Sequence, residues 1–274
     1  MRKYASRIYL CIIFAILYIP ILTLVFFSFN NTESTANFTG FSFEWYRKLF
    51  TNEDAFIALR NTLILAVSSA ALSTVIGTAA AEGIYRMRSK WLKTMVTSVT
   101  NVPMMNPDIV TGVSFMLFFA AVVGVFQISD YDDIGFFAML IAHTTFCLPY
   151  VILNVLPRIS ELGESLTEAA LDLGCTPVQA FFNVKLPNIM PGVISGAVMA
   201  FTLSLDDFVI SYFVSPSNFQ TLPLLIYSMT KKTVKPDMYA LSTLIIVTVF
   251  TLLILSNLKS FKKAPKKARK GGKK

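Results

Sequence analysis

Three carboxylates stand where carboxylates are rare. Asp108 interrupts an otherwise uncharged stretch from Thr94 to Ser129, and Asp206 and Asp207 interrupt another from Leu186 to Val214. An acid within a bilayer costs about 2.5–3.5 kcal/mol on insertion scales, so it is usually kept facing a bundle interior or an aqueous path. No basic residue lies in these stretches to neutralise the acids. The chemistry open to them is attraction of cations. Tyr212, five residues past Asp207, and Tyr227 add aromatic faces suited to an ammonium group. The competing reading places the acids hydrated at span ends or protonated in a packed interface, with Asp108 capping a helix broken after Pro107. Enzymatic chemistry is not indicated, because no nucleophile–base or metal arrangement is visible. His143 is the only histidine, and Cys11, Cys147 and Cys175 lack metal-like spacing. Among Thr144, Thr145 and Cys147, His143 reads as a helix-packing residue.

The elements that must carry these groups are membrane helices. The chain has 274 residues, 54% hydrophobic and only 15% charged, with a mean hydropathy of +0.61. That composition excludes a soluble enzyme and a disordered chain. A bilayer core of about 30 Å needs roughly 20 apolar residues as helix. Six stretches qualify: Ile8 to Phe29, Asn61 to Ala81, Thr94 to Ser129, Ile134 to Pro157, Leu186 to Val214 and Met238 to Leu258. The first follows Arg2, Lys3 and Arg7 but is too long for a signal peptide and has no Ala-x-Ala site, so it reads as a retained anchor. The third contains Pro103 and Pro107 and is expected to be kinked or broken at Asp108. A short helix is expected near Leu222 to Met229, in a loop bounded by Pro216 and Pro236.

Charge sets the orientation. Six spans with the N-terminus inside place eighteen Lys or Arg on inner segments and six on outer ones, the asymmetry of an N-in, C-in topology. Half of the inner charge lies in residues 259–274, which hold nine basic residues and no acid; the other 258 residues carry 15 basic against 16 acidic groups, a net charge of −1. The basicity is therefore one tail and not a nucleic-acid surface. The division expected is a transmembrane domain over 1–258 and a disordered cytoplasmic tail over 259–274 that can lie against anionic lipid.

The fifth span has its own pattern. Gly192, Gly196, Ala200 and Ser204 recur every four residues, a small-residue stripe for close helix contact. A continuous helix puts Asp207 on that stripe and Asp206 about 100° away, both roughly 22 Å beyond Pro191 and so in the outer half of the membrane. Asp108 falls near mid-depth if its span is mostly helical. Glu82, at the inner end of the second span, reads as a boundary residue near Arg86. Asp130, Asp132 and Asp133 read as a solvated outer turn.

The inner loop between the fourth and fifth spans, Arg158 to Met190, carries the most specific signal. Ile159, Leu162, Leu166, Ala169, Ala170 and Leu173 recur at helical spacing opposite Glu161, Glu164, Glu168 and Asp172, predicting one amphipathic helix. Gly174 stops it, Thr176-Pro177 opens a second helix, and Leu186-Pro187 with Pro191 is expected to end that one. On periodicity alone the element is either a docking knob for a soluble partner or a loop lying on the membrane surface. Glu168-Ala169-Ala170, Gly174 four positions later and the closing Leu186-Pro187 resemble the EAA loop of ABC-importer permeases. Pro107-Asp108-Ile109-Val110, the run His143 to Pro149, Ser204-Leu205-Asp206-Asp207 and Leu222-Pro223-Leu224 resemble the second permease subunit of spermidine/putrescine importers. The likeness covers essentially the whole chain except the tail. One departure is Cys175, where the family usually has Ala.

The resemblance implies an all-α integral membrane permease of the bacterial inner (plasma) membrane, with coupling helices on the cytoplasmic loop. Glu168, Ala169, Ala170, Gly174, Leu186 and Pro187 would meet the ATPase, and Asp108, Asp206, Asp207 and Tyr212 would line a polyamine path. Its implied partners are a homologous permease subunit, two ATPase subunits and an extracytoplasmic binding protein. This chain has no Gly-x-x-x-x-Gly-Lys pattern, so ATP belongs to the partner subunits and no cofactor is expected here. Other readings are an ABC permease for another cargo such as ferric ion, or an ion-coupled secondary carrier working alone. The latter leaves the helix–Gly–helix loop unexplained.

Overall fold

A computed structural model describes residues 2–32, 37–127, 131–231 and 238–254, the last without 245, 248, 249, 252 and 253. The described chain is helical throughout; its only extended pairing is a single bridge between Asn30 and Phe41. Five described helical stretches are long and apolar enough to cross a membrane: Arg7–Phe27, Glu53–Arg86, Asp108–Phe126, Gly135–Leu162 and Pro177–Asp206. In hydrocarbon every backbone N–H and C=O must be satisfied within the segment, so apolar runs of this length become helices. Residues 238–244 of the expected sixth stretch are helical. Most of the rest of that stretch, and the whole basic tail, lie outside the described residues.

The chain divides into two compact units, Met1–Glu53 with Ser228–Lys274, and Asp54–Tyr227. In the first, α1 (Arg2–Phe27) presents exposed apolar side chains from Ile8 to Phe26, and α2 (Glu44–Thr51) follows a loop. The Asn30 side chain pins that loop, donating to the Asn37 carbonyl and accepting from the Thr39 N–H. Buried Trp45 donates its indole N–H to the Asn30 carbonyl at 2.6 Å.

The second unit holds α3 (Glu53–Arg86, from Asp54), α4 (Lys90–Met105), α5 (Asp108–Phe126), α6 (Gly135–Leu162), α7 (Ser165–Asp172), α8 (Pro177–Ala180), α9 (Leu186–Asp206), α10 (Val209–Val214) and most of α11 (Leu222–Lys231). Its core is α6, which packs most extensively against α9. The stripe read from the sequence is that interface: Gly192, Gly196, Ala200 and Ser204 are the buried face of α9, together with Ile189. A Cβ on Gly192 would sit 2.8 Å from the Asn154 carbonyl oxygen, so the two backbones touch there. Val151 of α6 also meets α3, where a Cβ on Gly77 would lie 2.7 Å from Val151 Cγ1.

Of three sequence expectations about these helices, one holds and two change in the structure. The third stretch is two helices, because Pro107 forces Asn106 into an extended conformation (φ −77°, ψ 142°) and α5 starts afresh at Asp108. The break expected at Asp108 is therefore present. The helix expected over Ile159 to Leu173 is also two: α6 runs on to Leu162, Gly163 takes φ +69°, and α7 begins at Ser165. Leu186-Pro187 does not end the following helix. Residues 177–206 run continuously through a π-helical turn at Phe181–Lys185. Pro187 lacks an N–H, and its ring crowds the carbonyl one turn back; the wider turn just before it absorbs both effects.

Candidate functional site

Two places in the second unit gather the residues singled out by type and spacing. One is the elbow formed by α7 and α8. At the end of α7 the Cys175 N–H donates to the Ala170 carbonyl and the Gly174 N–H to the Leu171 carbonyl, with Gly174 at φ +90°. This is a Schellman motif, in which a left-handed residue lets the chain satisfy the last helical carbonyls. Its apolar contact positions are Ala170 and Cys175, so the Cys at the place of the usual Ala keeps a small apolar group there. Thr176 then caps α8 with a full capping box: its hydroxyl accepts from the Gln179 N–H, and the Gln179 side chain accepts from the Thr176 N–H.

The elbow is open to its surroundings. Glu168 and Ala169 are exposed, Ala170 is buried, and Leu173, Val178 and Phe182 present apolar side chains outward, Leu173 at 87% exposure. Leu186 and Pro187 lie beyond the π turn at the root of α9 and not on the elbow itself. What fastens the elbow was not foreseen from the sequence. Lys185 is 3% exposed, lies 2.7 Å from a Glu82 oxygen, and stacks 4.8 Å from the Tyr85 ring centre. Glu82 also receives the Arg86 guanidinium at 2.6 Å, as its spacing suggested. Lys185, Tyr85 and Arg86 of this cluster line a cavity of about 260 Å³ together with Glu164, Thr167 and Glu168.

The other place is the break between α9 and α10. The fifth stretch does not continue through Asp207, as a single helix would. Asp206 ends α9, Asp207 turns extended (ψ 122°), and its carboxylate accepts from the Ile210 and Ser211 N–H groups, capping α10. The Asp207 side chain is 7% exposed and lies 3.5 Å from Nε2 of the buried His143. His143 meets the Ser204 hydroxyl through Nδ1 at 2.8 Å and the Ser211 hydroxyl through Nε2 at 3.2 Å; Ser69 of α3 donates to Ser204. His143 is thus a satisfied packing residue at the junction of four helices. Asp207, expected to be unpaired, is held by that junction.

Asp206 is exposed beside it. Three rings gather at the same break: Phe208 and Tyr227 lie 4.6 Å apart between centres, and Tyr212 is 5.6 Å from Phe208 and 5.7 Å from Tyr227. Tyr212 is half exposed. Asp108, also exposed, opens α5 one turn ahead of Gly112. There α10 packs closely, Phe213 lying 2.7 Å from where a Gly112 Cβ would be. Asp108 is an end residue of a helix long enough to cross by itself, so the premise for its mid-depth placement does not hold.

The fold and these two places define a class: a multi-pass helical membrane protein with an exposed helical elbow at the root of one membrane helix and an acid-and-aromatic break at the far end of that helix. Residues 73–261, more than half of the chain, match the family described as binding-protein-dependent transport system inner membrane component. The chain is 38% identical over 257 residues to the spermidine/putrescine transport system permease protein PotC of Haemophilus influenzae, covering 94% of this chain and 96% of that protein. It is 39% identical over 240 residues to the putrescine transport system permease protein PotI of Escherichia coli, covering 86% and 83%. A solved bacterial ABC transporter involved in the import of the acidic polysaccharide alginate contains a chain of the same fold, with a TM-score of 0.78 at 17% identity over 96% of both chains. The protein belongs to the family of binding-protein-dependent inner-membrane transport components.

Proposed function

We propose that this chain is one permease subunit of an ATP-driven importer for spermidine or putrescine. It works beside a homologous permease, two ATPase subunits and an extracytoplasmic binding protein, in a bacterial inner membrane. Six membrane helices with both ends inside, a permease domain over 1–258 and a cytoplasmic tail over 259–274 complete the arrangement. Glu168, Ala169, Ala170 and Gly174 form the part of the elbow that docks on the ATPase: a surface acid, two small residues allowing close approach, and the turn that presents them. Leu186 and Pro187 tie that movement to α9.

The observation that carries the cargo assignment is the α9–α10 break. An exposed carboxylate, Asp206, ends α9 at the break where Phe208, Tyr212 and Tyr227 gather. Carboxylates and ring faces both attract ammonium groups, and a polyamine is a chain of them. Asp108 extends the negative lining. Asp207, already committed to α10, holds the break in shape. The similarity to polyamine permeases across nearly the whole chain supports the same cargo.

The test is uptake of labelled putrescine and spermidine by the complete importer in proteoliposomes. Asp206→Asn combined with Tyr212→Leu is expected to lower uptake at least tenfold, the equivalent of about 1.4 kcal/mol, with assembly unchanged. Wild-type uptake by that double variant would remove the break from the path. Transport of another cation in place of polyamines would remove the cargo assignment.

A further inference from the structure

The buried pair Glu82–Lys185 has no part in the reading above, and its position gives it one. Its members are 103 residues apart, one at the inner end of α3 and the other at the last residue of the π turn that joins the elbow to α9. Lys185, 3% exposed, is the only buried lysine among the residues whose burial is described. Glu82 offers it both oxygens, at 2.8 and 2.7 Å, and the Tyr85 ring covers it from the next position on the same helix face. Isolating an ammonium group from water is costly unless it is paired in this way, so the pair resists separation as long as Lys185 stays buried. The π turn supplies the second half of the device. An extra residue in one turn rotates the side chains that follow it relative to those before, which lets Lys185 point inward while Val178 and Phe182 point outward.

We infer that Glu82, Lys185 and Tyr85 form a clamp that makes α3 move with the elbow, so that force from the ATPase enters the bundle along α3 as well as along α9. Glu82 and Lys185 are positioning residues; neither touches cargo. The inference rests on the permease reading, and uptake by the wild-type complex tests that reading separately. α3 carries Ser69, which bonds Ser204 beside the α9–α10 break. A rigid α3 therefore gives the clamp a second route to the far end of α9, through Ser204, beside the route along α9 itself.

The experiment measures ATP hydrolysed and polyamine taken up in the same proteoliposomes containing the complete importer. Three variants are compared: Glu82→Gln, the neutral pair Glu82→Gln with Lys185→Met, and Lys185→Arg. Loss of the clamp uncouples the two processes, so the ratio of ATP to polyamine is expected to rise at least fivefold in the first two variants. Lys185→Arg keeps the charge, the pairing and the stacking on Tyr85, and is expected to keep the wild-type ratio. The neutral pair guards against misfolding, because removing both charges leaves no unpaired ion in the interior. An unchanged ratio in an assembled Glu82→Gln complex or an assembled neutral pair overturns the inference. So does failure of the neutral pair to assemble while Lys185→Arg assembles, since the pair would then serve folding only.

Discussion

Replacing Gly174 separates two reasons for a glycine at the elbow. Its φ of +90° costs an ordinary L-residue about 1–2 kcal/mol. Space is not limiting within the chain, for nothing lies within 4 Å of the position a Cβ would take. A penalty of that size lowers the population of the native turn about 5- to 30-fold relative to its alternatives. The two Schellman bonds and the Thr176 capping box offset part of it. Asn tolerates the left-handed region better than Ala, and Val tolerates it worst. Initial rates of ATP-dependent polyamine uptake in proteoliposomes are therefore expected to fall in the order Gly, Asn, Ala, Val, with Val down more than tenfold and assembly intact. Volume alone gives a different order, with Ala above Asn. That order would show that close docking decides, not backbone conformation. A Gly174→Val complex working at the wild-type rate would refute the role of the turn altogether.

Further expectations concern packing, capping and charge. Gly77→Ala drives a methyl group into Val151 and is expected to cost about 1–3 kcal/mol, read as a lower Tm of the detergent-purified complex; Val151→Ala in the same chain should recover part of the loss. Additive losses would contradict that contact. Thr176→Ala removes the capping box and is expected to cost α8 about 1 kcal/mol. Hydrogen exchange at the Gln179 amide reports it, and unchanged protection would deny the cap its role. The Glu44 carboxyl is held below its ordinary value of 4.5 by its hydrogen bond and attraction to Lys48. Because the folded value is the lower one, the pair supports α2 fully above the ordinary value, and the support is lost as pH falls through the depressed one. Lys48→Met should abolish that acid-side dependence of amide exchange in α2.

The parts of this molecule that were legible in the sequence are those fixed by local rules. Apolar runs gave the five described spans, Pro107 gave the break before α5, and Gly174 followed by Thr176-Pro177 gave the elbow. The small-residue stripe on α9 was legible because a four-residue repeat needs no knowledge of its neighbour. What escaped depends on residues far apart in the chain or on competition between rules. Lys185 looked like an ordinary inner-loop charge, since its partner Glu82 lies 103 residues away. The partners of His143, Ser204 and Ser211, come from two other helices, and Ser69, which donates to Ser204, from a third. Pro187 looked like a helix end because a π turn, which removes the conflict, has no local signature. Asp207 looked like part of a continuous helical face, yet a carboxylate can equally cap the next helix, and capping won.

The central claim is that a separate ATPase, gripping the elbow, drives polyamines through this chain and its partner permease. The measurement that tests it most directly is polyamine accumulation by proteoliposomes holding both permeases, the ATPase and the binding protein, with and without ATP. Accumulation that needs ATP and every subunit, and that collapses with Gly174→Val, is the result expected. Accumulation by this chain without any ATPase, or ATP-driven transport that ignores polyamines, would contradict it.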